Sequence, residues 1–319
     1  MEFGQWRQFL RERMMMSDSV GQQDFKTVQF QRFALAAGLL ALAFGGPLWR
    51  LFWFAVRDDL HSYIPLMPLV SIYLAWTQKS ELPRHSSPAR AMAALFFVAG
   101  MAAMAGYLLL VRSATAGNIE NCLAVGTLGW LLCLAGAGCR FLGGAMMRAL
   151  AFPFLLLILM IPFPVYVREG IEGGLQHGSA VVADWMFVLA GTPLWRDGMV
   201  FHLPGMNLQV APECSGIHST LVLFITSLVA GQMILRRPWK RVVLCLAIIP
   251  LALLRNGFRV FVIGELCVHI SPRMIDSPIH HHGGPLFFLL SLAPFFLLLY
   301  FLRKSERTDA AGQLSKPAK

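Results

Sequence analysis

Residues 216–235 read GIHSTLVLFITSLVAGQMIL and are followed at once by Arg236 and Arg237. About 20 mostly apolar residues are what a helix needs to cross a bilayer's hydrocarbon layer. Arginines in short loops favour the cytoplasmic side. The run is therefore expected to enter the membrane from outside near Ser215 and to leave it inside at Arg236. The residues before it, Val210-Ala211-Pro212-Glu213-Cys214-Ser215, then sit at the outer boundary.

Working outward, seven further runs have the same character, over 33–49, 63–77, 91–111, 122–138, 149–167, 242–262 and 285–302. The expectation is an all-α polytopic membrane protein of about eight transmembrane helices. The stretch Ala180–Ala190 is too short to span and carries Asp184, so it reads as a short extracytoplasmic helix. Met199–Val210 alternates apolar and polar residues around Pro204-Gly205-Met206-Asn207, a turn-favouring set, and reads as a small β-hairpin. Composition agrees: 56% of the 319 residues are hydrophobic and 14% charged, against about 25% charged in soluble domains. Mean hydropathy is +0.60.

With a cytoplasmic N-terminus and alternating spans, 19 of the 27 lysines and arginines fall on the inside, which places both termini in the cytoplasm. The net charge of +10 is then accounted for by topology and anionic cytoplasmic lipid. No basic stripe with interleaved aromatics argues for nucleic acid. Residues 1–30 form a polar cytoplasmic lead, 31–304 one transmembrane domain and 305–319 a polar cytoplasmic tail. No cleavable signal peptide and no repeat of 20–50 residues is apparent.

Three segments fall on the outer face. The first carries Cys214. The other cysteines (Cys122, Cys133, Cys139, Cys245, Cys267) lie in or beside apolar runs and read as inert thiols, and no CxxC pair or zinc spacing occurs. Cys214 stands at a helix N-terminus, where free amides and the helix dipole favour a thiolate. Position alone leaves it open between a nucleophile and a buried apolar thiol. The second segment is Leu254-Arg255-Asn256-Gly257-Phe258-Arg259-Val260, with two arginines four apart on one helix face. Charge within a membrane costs roughly 2.5–3.5 kcal/mol at a helix centre, so such residues snorkel or function. Snorkelling fits Arg255 and leaves Arg259 open. The third segment is His280-His281-His282-Gly283-Gly284, which offers an acid–base imidazole. Metal binding by adjacent histidines is the weaker reading, and no cofactor is expected.

Ala211-Pro212-Glu213-Cys214-Ser215-Gly216-Ile217, then Asn256-Gly257-Phe258-Arg259-Val260, then His280 with Gly284, resemble the exosortase/archaeosortase family. The resemblance is close over 178–290, including Gly191-Thr192-Pro193 and Arg196-Asp197-Gly198. It is looser around Asp59-Leu60-His61-Ser62-Tyr63-Ile64-Pro65-Leu66. It implies a membrane-embedded cysteine transpeptidase of the bacterial inner membrane with its active site on the periplasmic face. Its substrates would be exported proteins bearing a PEP-CTERM-type sorting signal: a Pro-Glu-Pro-like motif, a transmembrane helix and a basic cluster. Such an enzyme cleaves near the motif through a thioester and passes the product to an acceptor, often in bacteria that export exopolysaccharide. By this resemblance Cys214 matches the nucleophile, Arg259 the arginine and His280 the histidine. His281 and His282 stand as neighbouring alternatives. Asp276 and Glu265 are candidates to orient the imidazole. The competing readings are a multi-pass transporter, with Pro162, Pro164 and the polar Gln176–Asp184 stretch lining a path, and a non-catalytic scaffold of an export system.

Overall fold

The computed structural model describes residues 28–83, 86–113, 119–210, 215–271 and 284–314. They are almost entirely helical, with one small antiparallel sheet, and form two compact units that meet in sequence between Val165 and Tyr166. Five helices are long and apolar enough to cross a membrane, or up to seven if each of two bent pairs counts as one span. The chain is a multi-pass membrane protein, with fewer straight spans among the described residues than the eight read from hydropathy.

The first unit holds α1 (Val28–Ala43), α2 (Gly45–Arg57), α3 (Leu66–Thr77), α4 (Arg90–Arg112), α5 (Ile119–Phe141), α6 (Gly144–Ala149) and α7 (Ala151–Leu156). The apolar run at 33–49 is split: α1 and α2 meet at 77°, where Gly45, Gly46 and Pro47 give poor helix formers in succession. The run at 63–77 supplies only the twelve residues of α3. The α4–α5 pair packs backbone to backbone. A Cβ on Gly129 would stand 3.0 Å from the Gly100 carbonyl oxygen, and one on Gly136 3.2 Å from that of Ala93. Small residues at such crossings let membrane helices approach closely. The single span read over 149–167 is overturned. Helical structure stops after a 3-10 turn at Leu157–Met160, and Ile161 is extended (φ −73°, ψ 117°). Pro162 and Pro164 explain this, since each removes an amide donor and bars its predecessor from helical geometry.

The second unit begins with α8 (Val165–Ala190), which absorbs the Ala180–Ala190 stretch into one 26-residue helix. That corrects the reading of a separate short helix: the stretch upstream of Ala180 stays helical despite Gly170, Gly173, Gly174 and Gly178, with no proline between Val165 and Ala180 to stop it. Then come β1 (Trp195–Asp197), β2 (Val200–Leu203) and β3 (Met206–Gln209) in the order β1-β2-β3. The β2–β3 hairpin lies where the sequence put it, with Leu203 opposite Met206 and Pro204-Gly205 as its two-residue turn. Gly205 has φ +84°, which a turn of this kind asks of its second residue. The alternation works as expected. Phe201, Leu203 and Leu208 are buried with Ala183 and Phe187 of α8. His202 faces the other way, stacked on Trp195 at 4.7 Å and bonded through Nδ1 to Asn207 at 2.8 Å.

Beyond the sheet, α9 (Ile217–Ile234), α10 (Pro238–Leu246), α11 (Ile248–His269) and α12 (Gly284–Leu314) complete the unit. Pro238 opens α10 at a position where its missing amide costs nothing. The Glu306 carboxylate accepts the amides of Arg236 (3.0 Å) and Arg237 (2.9 Å), closing the α9–α10 turn. α12 thus continues through Leu314 into the flank read as a polar tail, and uses Glu306 as a cap.

Candidate active site

The chain leaves β3 under restraint. The Val210 amide donates to the Met199 carbonyl at 2.9 Å, and the Gln176 side-chain amide of α8 donates to the Val210 carbonyl. It re-enters at Ser215, 2% exposed, and Gly216, whose φ of +69° is left-handed. The Gly216 carbonyl then gathers four donors: the Thr220 amide (3.0 Å), Thr220 Oγ1 (2.8 Å), Ser219 Oγ (3.1 Å) and Arg255 Nη2 (3.2 Å). Arg255 Nη2 also donates to Thr220 Oγ1 at 3.2 Å. A Cβ at position 216 would lie 2.9 Å from Arg255 Nη2 and 3.1 Å from Asn256 Oδ1, so both torsion and space demand glycine.

α11 holds this junction from behind. Asn256, 2% exposed, donates through Nδ2 to Ser179 Oγ of α8 at 3.1 Å. Gly257 lets α8 close in: a Cβ there would stand 3.0 Å from the Ser179 carbonyl and 2.6 Å from Val182 Cγ1. Two turns on, a Cβ at Gly264 would collide with Phe187.

At the start of α9 a cleft of about 670 Å³ opens, within the roughly 300–1,000 Å³ usual for ligand sites. Its walls are Arg168 and Glu172 from α8, Ser215 to Ser219 and Val222 from the head of α9, Arg259 from α11, and Gly284 and Phe288 from α12. The first-turn amides of α9 have no intrahelical carbonyl to serve, and they lie at the positive end of the helix dipole. A cleft with two guanidiniums and such amides suits an anionic group or an oxygen that gathers negative charge.

Of the residues singled out in sequence, Arg259 is half-buried and lines this cleft. Cys214 and His280 lie outside the described residues, as do Pro212, Glu213, Asp276, His281 and His282. Their described neighbours converge nonetheless. Ser215, next after Cys214, and Gly284, four after His280, both line the cleft with Arg259. Glu265 is engaged elsewhere: it accepts from Thr192 Oγ1 and pairs with His269 Nε2 at 3.0 Å. The snorkelling reading of Arg255 is overturned, because its side chain is 7% exposed and spends its donors on Gly216 and Thr220. Sequence reasoning passed over Arg168, Glu172 and His218, and took Gln176 and Ser179 only as part of the polar stretch of the transporter reading. Only the i,i+4 pair Arg168–Glu172 carried a signal, as charges flanking the start of an apolar helix.

Residues 56–297 match the family model described as transmembrane exosortase (Exosortase_EpsH). No curated protein and no solved structure matches the chain.

Proposed function

The chain belongs to the transmembrane exosortase family, and on that premise we propose that it is a cysteine transpeptidase acting on C-terminal sorting signals at the periplasmic face of a bacterial inner membrane. The observation that carries this reading is the α9 cleft, where Ser215, next to Cys214, and Gly284, four after His280, share walls with Arg259. In the mechanism, His280 takes the proton of Cys214 or pairs with it as thiolate and imidazolium. The thiolate attacks a substrate carbonyl, and the developing oxyanion is stabilised by Arg259 and the amides at Ser215 or Gly216. His280 returns a proton to the leaving amine. The thioester left on Cys214 is resolved by an acceptor nucleophile or by water.

The substrate is an exported protein with a Pro-Glu-Pro-like motif, an apolar helix and a basic cluster. Its helix docks laterally through lipid, and the basic cluster fixes its depth on the cytoplasmic side, where both termini of this chain also lie. Arg168, on the α8 wall of the cleft, supplies a counter-charge for the acidic residue of the motif. The test is co-expression with a protein bearing such a tail. Cys214→Ala and Cys214→Ser are expected to abolish its maturation while the variants stay folded in the membrane. Full processing by either one rules out covalent catalysis by Cys214.

A further inference from the structure

Arg255 takes no part in the chemistry proposed above, yet it is buried where Arg259 is only half-buried. A buried cation in a membrane helix is costly and usually pairs with backbone or side-chain oxygens; Nη1 of Arg255 has no hydrogen-bond partner among the described residues, so its hold on the chain runs through Nη2. Here Arg255 Nη2 bonds both the Gly216 carbonyl and Thr220 Oγ1, each at 3.2 Å, and Thr220 Oγ1 itself donates to the same carbonyl at 2.8 Å. One peptide group is thus clamped from two helices. That peptide joins Gly216 to Ile217. It is trans, as are the peptide bonds among the described residues, so the Ile217 N–H points opposite to the clamped carbonyl. Ile217 lines the cleft, and its amide is one of the donors that α9 leaves without an internal partner.

We infer that Arg255 is a positioning residue: by clamping the Gly216 carbonyl it aims the Ile217 N–H into the cleft as an oxyanion donor. The inference rests on the reading of Cys214 as nucleophile. The Thr220 amide and hydroxyl hold this carbonyl from within α9, and Arg255 adds the hold from a second helix on the peptide that follows a left-handed glycine. Donors aimed before the reaction act without reorganisation at the transition state, so a loosened amide costs kcat while substrate binding is retained. Arginine fits the task because one nitrogen reaches two oxygens while the stem stays in the helix interface. A lysine ammonium would keep the charge and part of the bonding.

The experiment uses the full-length protein in lipid nanodiscs, with a fluorogenic peptide carrying Pro-Glu-Pro followed by an apolar helix and a basic cluster. A peptide aldehyde of the same motif, whose carbonyl carbon adds the thiolate to give a tetrahedral hemithioacetal bearing an oxyanion, serves as the second probe. Arg255→Met is expected to lower kcat by about 10- to 100-fold with KM within about 2-fold. Affinity for the aldehyde should fall in step with kcat, and Arg255→Lys should recover much of the loss. A wild-type kcat, or aldehyde affinity that stays put while kcat falls, overturns the inference. Should Arg255→Met fail to fold, Thr220→Val removes the second hydrogen-bonding partner on the clamp and leaves the arginine in place. It is expected to lower kcat by about 3- to 10-fold at unchanged KM, and an unchanged kcat again overturns the inference. Processing by Cys214→Ala would instead defeat the nucleophile reading, which separates the two failures.

Discussion

Gly216→Ala is the substitution whose cost the structure determines most closely. The backbone there has φ +69° and ψ 20°, a conformation costing an L-residue roughly 1–2 kcal/mol. The added Cβ would lie 2.9 Å from Arg255 Nη2 and 3.1 Å from Asn256 Oδ1. Non-bonded heavy atoms settle at about 3.5–4.0 Å, so the guanidinium must retreat by more than half an ångström. Its bonds to the Gly216 carbonyl and Thr220 Oγ1 already measure 3.2 Å. Such a retreat breaks both, at about 1.5–3 kcal/mol for hydrogen bonds to a charged group. The expected total is about 4–8 kcal/mol of stability, and processing of a sorting-signal substrate should be lost in step. Unfolding titrations in mixed SDS micelles measure it, and a double-mutant cycle divides it. In an Arg255→Ala background the contact with the guanidinium is gone and only the tight one with Asn256 remains, so Gly216→Ala should cost clearly less, little more than the backbone part of about 1–2 kcal/mol. An equal cost in both backgrounds would refute the argument that Arg255 and Gly216 occupy one another's space.

Asn256→Ala and Ser179→Ala each strand a buried partner of the 3.1 Å bond between α11 and α8. Each is expected to destabilise by about 1–3 kcal/mol, while the double variant costs less than the sum; mixed-micelle titration of the three variants checks this. Glu265→Ala releases Thr192 and His269, and neither lines the cleft. It is expected to lower the unfolding midpoint and leave the kcat of sorting-signal cleavage at the wild-type value; a collapse of kcat would return Glu265 to the role of orienting the histidine.

The membrane-spanning character was legible because hydropathy over about 20 residues is a strong signal, and α4, α5 and α9 lie close to their expected limits, while the run at 242–262 is split between α10 and an α11 that extends to His269. The hairpin was legible for a similar reason: Pro204-Gly205 sits between arms of period two. What the sequence obscured was local geometry inside apolar runs. A window average over 149–167 does not register that Pro162 and Pro164 remove two amides and end the helix. Nor does Ala180–Ala190 announce that it is the end of a longer helix whose earlier turns are polar on one side. Strand β1 was missed because Trp195–Asp197 is too short to show alternation, and its pairing with β2 is set by Gly198 at φ +58°. Among the site residues, Arg259 was found by motif. Arg255 was misjudged because charge near a helix end suggests snorkelling, and only coordinates tell where its donors go.

The two arginines show why that distinction matters for the chemistry. They stand four apart on α11, one turn along the same face, yet one lines the cleft and the other lies behind the chain that forms it. The opposite face of α11 is spent on packing. Asn256 bonds α8, Gly257 and Gly264 admit it, and Val260, Ile263 and Cys267 join the core beneath the sheet. A helix fixed so closely on one side cannot rotate to adjust the other. The height of Arg255 against Gly216 and that of Arg259 in the cleft are therefore set by a single body. Gly257→Ala or Gly264→Ala, whose added Cβ would push α11 off α8, should consequently lower the kcat of the proposed processing reaction at a distance, since a shift of even an ångström moves the clamp and the cleft arginine together.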